Sequence, residues 1–223
     1  PDRGPVCLAP HHVGGLSIFL RGALGNQPIV TVPRFGEQAV LEAIAAERVT
    51  LLSLMPTMLI RLLRAGGLET LRGVRAILLG GAPAPADLVG RWAEEGLPVC
   101  PSYGLTESAS QVTTVPLGRA LKLAGSAGLA HNQARIEIVE GEIVVSGPTV
   151  AAGYGNPKIT PAPAGGRLPT DALARLHNTG HPAVPGPRAP PTTPASDAVT
   201  PRATGPRPRA PPRAHGDHAH RPP

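Results

Sequence analysis

Three short stretches hold the residue types that could do chemistry. The first is Ser102-Tyr-Gly-Leu-Thr-Glu-Ser108, which follows an apolar run beginning at Val99-Cys100. Ligands of open α/β sheets bind beyond the carboxyl ends of the strands, so this position suits a site. Gly104 would let a ligand approach the main chain closely. Thr106 offers a hydroxyl to a phosphate, and Glu107 offers a hard oxygen to Mg²⁺ bridging nucleotide phosphates. The second stretch, Gly80-Gly-Ala-Pro-Ala-Pro85, also follows an apolar run, and its paired glycines would admit a flat ring such as a purine against the backbone. The third, His11-His-Val-Gly-Gly15, pairs two imidazoles, but no third ligand lies at zinc spacing. Each stretch also has an ordinary structural reading: a loop, a strand-to-helix turn with a proline-started helix, and a partly buried histidine.

These stretches need elements to hold them. Val49–Leu54 and Val74–Leu79 are short apolar runs that predict buried strands, the second stopped by Gly80-Gly81. Pro56 can start a helix, and Met58, Leu59, Leu62 and Leu63 give it an apolar stripe ending at Gly66-Gly67. Pro85–Glu95 predicts a helix with Leu88, Val89 and Trp92 on one face, and Glu37–Arg48 predicts another. Strands alternating with helices imply a parallel sheet covered by helices, an α/β arrangement expected to run to about Gly128. From Arg135 the pattern changes. Ile136 and Ile138, then Ile143 and Val145, alternate around Glu140-Gly141-Glu142, which predicts a hairpin and a small β-rich element.

Composition divides the chain differently. Residues 1–156 carry 12 Lys/Arg and 12 Asp/Glu; residues 157–223 carry 9 against 3, which is the whole net charge of +6. The second segment also holds 17 of the 29 prolines and no aromatic residue. Proline removes a backbone donor, and few large apolar side chains are present to offset ordering entropy. A disordered Pro/Arg-rich tail is therefore expected over 181–223, with a degenerate continuation of the domain over 157–180. Its abrupt onset is also what a high-GC coding sequence yields in the wrong reading frame. A basic tail can contact nucleic acid, but the absence of stacking aromatics argues against that partner. Cys7 and Cys100 are far apart and read as buried thiols of a reducing compartment, which points to the cytoplasm. No secretory signal or run long enough for a membrane span is seen.

Taken together and in order, the three stretches resemble the adenylate-forming superfamily of acyl-CoA synthetases, nonribosomal adenylation domains and luciferases. His12-Val-Gly-Gly15 is similar to the family's His motif beside the acyl pocket, and Gly80–Pro85 to its adenine-side loop. Tyr103-Gly-Leu-Thr-Glu107 is similar to its signature motif. Gly141–Pro148 with Gly153-Tyr154 is similar to the β-rich element that follows. The resemblance covers Asp2 to Tyr154, and weakly to Leu176. Within the superfamily the likeness is to the o-succinylbenzoate–CoA ligases of menaquinone biosynthesis, carried by His12–Ile18, Val49–Leu63, Gly96–Val99, Ser108–Val112 and Gly125–Gly128.

The resemblance implies part of a large N-terminal α/β domain (residues 1–156), then the β-rich element and the tail. It implies an ATP-, Mg²⁺- and coenzyme A-dependent ligase that adenylates a carboxylic acid and passes the acyl group to a thiol. Candidate catalytic residues are Thr106 and Glu107, with Glu107 also the metal ligand. Nucleotide contacts fall to Gly80, Gly81, Ala82, Pro83, Tyr103, Gly104 and Thr106, and the acyl side to His12, Gly14 and Gly15. The sequence departs from the family pattern in three places. The phosphate loop precedes the His motif in the family, and the chain begins at Pro1. The ribose-binding Thr-Gly-Asp aligns with Thr170-Asp-Ala172, which puts Asp171 one residue out of place. Lys122 and Lys158 are the only lysines, and neither lies in the family's catalytic-lysine motif. These departures lead to the expectation that the chain lacks full activity. A ligase for another fatty or aryl acid and a non-catalytic remnant are the other readings.

Overall fold

The structure, a computed structural model, describes residues 2–131, 133–154, 164–173 and 183–185. The first half alternates strands and helices: β1 (Gly4–Val6), α1 (Val13–Leu24), β2 (Ile29–Thr31), α2 (Glu37–Ala46), β3 (Leu51–Leu54), α3 (Pro56–Arg64), α4 (Leu68–Arg72), β4 (Ala76–Leu79) and α5 (Ala86–Glu94). Strands dominate the rest: β5 (Val99–Leu105), β6 (Ser110–Thr114), β7 (Ser126–Ala130), β8 (Arg135–Val139), β9 (Glu142–Ser146), β10 (Arg167–Leu173) and β11 (Ala183–Pro185).

The main sheet has six strands in the order β11-β7-β6-β5-β4-β3. β3, β4 and β5 are parallel, with Leu54 opposite Leu79 and Leu79 opposite Pro101. From β5 onward every pairing is antiparallel. The sheet is thus mixed, and antiparallel pairing starts at Ser110, earlier than the boundary near Gly128 that the strand–helix alternation implies. The reason is local. β5 and β6 are joined by a three-residue 3₁₀ turn, Thr106–Ser108, too short for the helical crossover a parallel neighbour requires.

The core lies between the parallel strands and their helices. Leu52, Leu54, Ile77 and Leu79 meet Leu59 and Leu62 of α3 and Val89 and Trp92 of α5, all buried. α3 starts at Pro56, whose missing N–H costs nothing at a helix start, and ends with Arg61 and Arg64 near its negative pole. A second apolar cluster gathers Tyr103, Val112, Ile143, Val145 and Leu168 between the main sheet and the small sheet β10-β9-β8. The predicted hairpin is present: Ile138 faces Ile143, and the turn residues Glu140 and Gly141 have φ of 51° and 85°. Two positive φ values are what a two-residue turn needs to match strand twist.

Two elements stand where composition implied little order. β10, within the 157–180 stretch, pairs with β9 and buries Leu168 and Ala172. β11, within the stretch expected to be coil from His181, pairs antiparallel with β7 as the outermost strand. An edge position is where a sheet tolerates proline, here Pro185. The rest of the tail lies outside the described residues. Among the described residues no helix is long and apolar enough to cross a membrane.

Ile77, fully buried on the middle parallel strand, tests this core. Ile77→Ala is expected to cost about 2–5 kcal/mol in urea unfolding. Leu117→Ala, at a half-exposed position, is expected to stay within about 0.5 kcal/mol.

Candidate functional site

Because β3, β4 and β5 run in the same direction, their carboxyl ends meet at one edge. There a cavity of about 770 Å³ opens, within the range of small-molecule sites. All three sequence stretches reach it: His12, Gly14 and Gly15 from the start of α1, Gly80 and Gly81 after β4, and Gly104 and Thr106 at the end of β5. Ala82 and Pro83 follow the glycine pair, are exposed, and do not line the cavity.

The glycines are there for different reasons. At Gly15 a Cβ would overlap the Ala9 carbonyl, so the chain entering α1 folds back against a bare main chain. At Gly14 the nearest atom to such a Cβ is the Leu8 side chain at 3.6 Å, ordinary contact, so that position leaves room. Gly81 takes a left-handed φ of 74°. Gly80 is tied to the sheet by its N–H to the Leu54 carbonyl (3.1 Å). His12 caps α1 with extended backbone while its ring stacks obliquely on His11, centroids 4.4 Å apart.

Alternation along β5 sends neighbouring side chains to opposite faces. Ser102 faces the cavity and donates its hydroxyl to the Leu79 carbonyl at 2.8 Å. Tyr103 points the other way, into the second apolar cluster. Its hydroxyl is buried and has no partner in hydrogen-bond geometry among the described residues. Burial pushes its ionisation up, and the nearby Thr170 hydroxyl opposes this. Thr170 gives its own proton to the Ile143 carbonyl (2.9 Å). Gly104 cannot carry a side chain, because a Cβ there would overlap the Ser110 carbonyl oxygen across the β5–β6 pair.

Beyond β5 the chain turns sharply. The Ser108 hydroxyl, fully buried, accepts the Leu105 N–H at 3.0 Å, and Ala109 and Ser110 both have positive φ. This turn leaves Thr106 exposed on the cavity wall and Glu107 half-buried just outside the lining. Glu107 is strapped by a later segment. The Tyr154 hydroxyl donates to its Oε1 at 3.0 Å, and the Ala151 N–H donates to its carbonyl at 2.7 Å. Among the described residues no three His, Cys, Asp or Glu side chains converge on a metal position. Asp171 lies on β10, with its side chain outside the described residues.

The residue that motif reading misses is Arg21. Gly14, Ser17 and Arg21, spaced i, i+3, i+7, fall on one face of α1 and line the cavity together. That periodicity was the available signal, but three glycines within the helix obscured it. Arg21 donates to the Gln111 Oε1 (3.1 Å) and the Ser53 Oγ (3.4 Å), both neutral. Burial lowers its pKa, yet a guanidinium keeps its charge. The other cation on the wall, Arg61, is already matched: it pairs with Glu37 at 2.6 Å and lies over Phe35 at 4.8 Å. Among the described residues the cavity therefore offers an anion one cation with neutral partners, Arg21, and a hydroxyl at Thr106.

The two tyrosines should titrate apart. Both phenols ionise above their ordinary range, Tyr103 through burial and Tyr154 because the Glu107 carboxylate holds its proton. In ultraviolet titration, Glu107→Gln is expected to bring the pKa of Tyr154 down toward 10 and leave Tyr103 unchanged. Equal curves with and without the substitution would show that the strap is not formed in solution.

Comparison with known proteins places this geometry. Residues 2–155 match the family model described as AMP-binding enzyme. The chain is similar to the 2-succinylbenzoate–CoA ligase of Bacillus cereus, 40% identical over 162 residues, or 68% of this chain and 34% of that protein. It is 39% identical to the enzyme of the same name from Bacillus cytotoxicus over 160 residues, 67% and 33% of the two chains. The chain thus spans about a third of the length of these relatives. Among solved structures it is similar to the o-succinylbenzoate CoA synthetase of Bacillus subtilis in complex with the acyl-adenylate intermediate. That likeness has a TM-score of 0.74 at 34% identity and covers 84% of this chain and 41% of the other. It is also similar to the same enzyme in complex with ATP and magnesium ion, with a TM-score of 0.72 at 33% identity over 83% and 41% of the two chains. A fatty acyl CoA synthetase of Mycobacterium tuberculosis gives a TM-score of 0.72 at 25% identity over 82% and 39%. With this family model matching well over half of its residues, and the fold following the same proteins, the chain belongs to the AMP-binding enzyme family.

Proposed function

We propose that the chain carries the acid- and nucleotide-facing walls of an ATP-dependent acyl-CoA ligase whose acid is o-succinylbenzoate. The observation that carries this reading is the meeting of three motif loops and one cation with neutral partners around a single cavity. In the reaction, an acid carboxylate oxygen bonds to the α-phosphorus of ATP while the bond to pyrophosphate breaks. The thiolate of coenzyme A then attacks the acyl carbonyl, and AMP leaves. In this reading Gly80, Gly81 and Gly104 border the nucleotide, and Thr106 offers its hydroxyl to a phosphate; Ala82 and Pro83 lie beyond the lining, and Tyr103 backs the wall from the second apolar cluster. His12, Gly14 and Gly15 border the acid. Mg²⁺, when bound, would supply positive charge for the phosphates. Glu107 would hold it, and a single carboxylate suits a metal whose other ligands are phosphate and water.

Arg21 favours this acid over a fatty acid. o-Succinylbenzoate has two carboxylates, and activation consumes one. The second is met by a cation on the wall that has only neutral partners, which Arg21 provides and an alkyl chain does not use. Arg21→Gln is expected to weaken binding of o-succinylbenzoate by roughly 10- to 100-fold in calorimetric titration, with benzoate little changed. Equal losses for both acids would remove this assignment.

The reading also covers the chain by itself. Lys122 is exposed and does not line the cavity, Lys158 lies outside the described residues, and neither stands in the family's catalytic-lysine motif. A transition state that gathers charge on phosphate is met by preorganised cations, and losing one costs about 3–4 kcal/mol. The purified chain with ATP, Mg²⁺, o-succinylbenzoate and coenzyme A is therefore expected to release no pyrophosphate above background. Release that disappears on Glu107→Ala would show instead a working ligase.

A further inference from the structure

Gln111 is a wall shared by two cavities. On one side it lines the cavity of Arg21. On the other it lines a second cavity, of about 550 Å³, with Thr114 and His131. A continuous hydrogen-bond chain crosses between them. Arg21 Nη1 donates to Gln111 Oε1 at 3.1 Å, Gln111 Nε2 donates to Thr114 Oγ1 at 3.2 Å, and Thr114 Oγ1 lies 3.0 Å from His131 Nε2.

The first two directions in this chain are forced. A guanidinium has donors only, so the amide oxygen of Gln111 must face Arg21 and its NH₂ must face Thr114. Thr114 Oγ1 then accepts from Gln111, and its remaining lone pair or its own proton meets His131 Nε2.

The two ends differ in stiffness. Thr114 sits in β6 opposite Leu129, and its β-branched side chain has few rotamers. His131 is pinned by main chain: its N–H donates to the Val112 carbonyl at 2.8 Å, and its carbonyl accepts the Ala134 N–H at 2.9 Å. Arg21 and Gln111 are long and rotamer-rich, and holding either in one place costs conformational entropy. Rigid groups at the far end can lower that cost at the near end.

We propose that Thr114 and His131 are positioning residues for Arg21. They fix the amide of Gln111, and through it the guanidinium, and so set the preference for an acid with a second carboxylate over an acid without one. This rests on the reading of the Arg21 cavity as the acid site. Neither residue touches the acid; both act through Gln111.

The test is the ratio of affinities for o-succinylbenzoate and benzoate, measured by calorimetric titration on the full 223-residue chain. Thr114→Val keeps the shape and removes the hydroxyl, and is expected to reduce the ratio roughly three- to tenfold. Thr114→Ser restores the hydroxyl and is expected to restore the ratio. His131→Ala moves it in the same direction as Thr114→Val. A purely structural role would weaken both acids together and leave the ratio alone, which overturns the proposal. If Arg21→Gln collapses the ratio and Thr114→Val does not, the acid site stands and the relay is wrong. If Arg21→Gln leaves the ratio unchanged, or the unsubstituted chain binds neither acid, the acid site is wrong and the relay falls with it.

Discussion

Everything at this site depends on how closely β5 and β6 approach at Gly104. The Ser110 carbonyl occupies the space where a side chain at residue 104 would begin. β5 is also the strand at which the sheet changes from parallel to antiparallel pairing, with a register shift between Tyr103 and Gly104. That one contact fixes what lies on either side. It places Ser102 toward the cavity and sends Tyr103 into the second core. It sets Gln111 opposite Gly104, within reach of Arg21. A bulkier residue at 104 would push β6 away, and Gln111, Thr114 and Thr106 would move with it.

This changes how the signature stretch is understood. From sequence, Gly104 reads as a position where a ligand approaches the backbone. In the structure the main chain of β6 approaches it instead. The same holds for Gly15, pressed against the Ala9 carbonyl. In both places the glycine's first duty is to bring two chain segments together, and the cavity wall follows from that. Gly14 is the glycine that leaves space, since a Cβ there would meet only the Leu8 side chain at an ordinary 3.6 Å.

The parallel strands, the helices α2, α3 and α5 and the β8–β9 hairpin were legible because each has a clear period or a turn signal. α1 was not, since Gly14, Gly15 and Gly22 weaken its helix signal and Leu16, Leu20 and Leu24 are exposed. The antiparallel half of the sheet was not legible either. Its cause is the short turn after β5, which depends on the buried Ser108 hydroxyl and two residues with positive φ, and none of these is a pattern a sequence displays. The motif stretches located three walls of the cavity. Arg21 escaped because its role comes from a helix face and from the neutrality of its partners, and both are properties of packing.

Charge decides between the two arginines that share the cavity. A guanidinium paired with a carboxylate at 2.6 Å has little left to offer an incoming anion, which is the case for Arg61 with Glu37. A guanidinium held by an amide oxygen and a serine hydroxyl keeps its full charge and gives up only some solvation. An acid carboxylate arriving at Arg21 replaces lost water with a charge-assisted bond, the stronger kind of hydrogen bond, and displaces no ion pair. Glu107, the carboxylate nearest to Thr106 in the chain, is strapped by Tyr154 and Ala151 outside the cavity lining. The carboxylate of Glu107 is thus kept outside the lining, and the cation with neutral partners stands on the wall formed by α1.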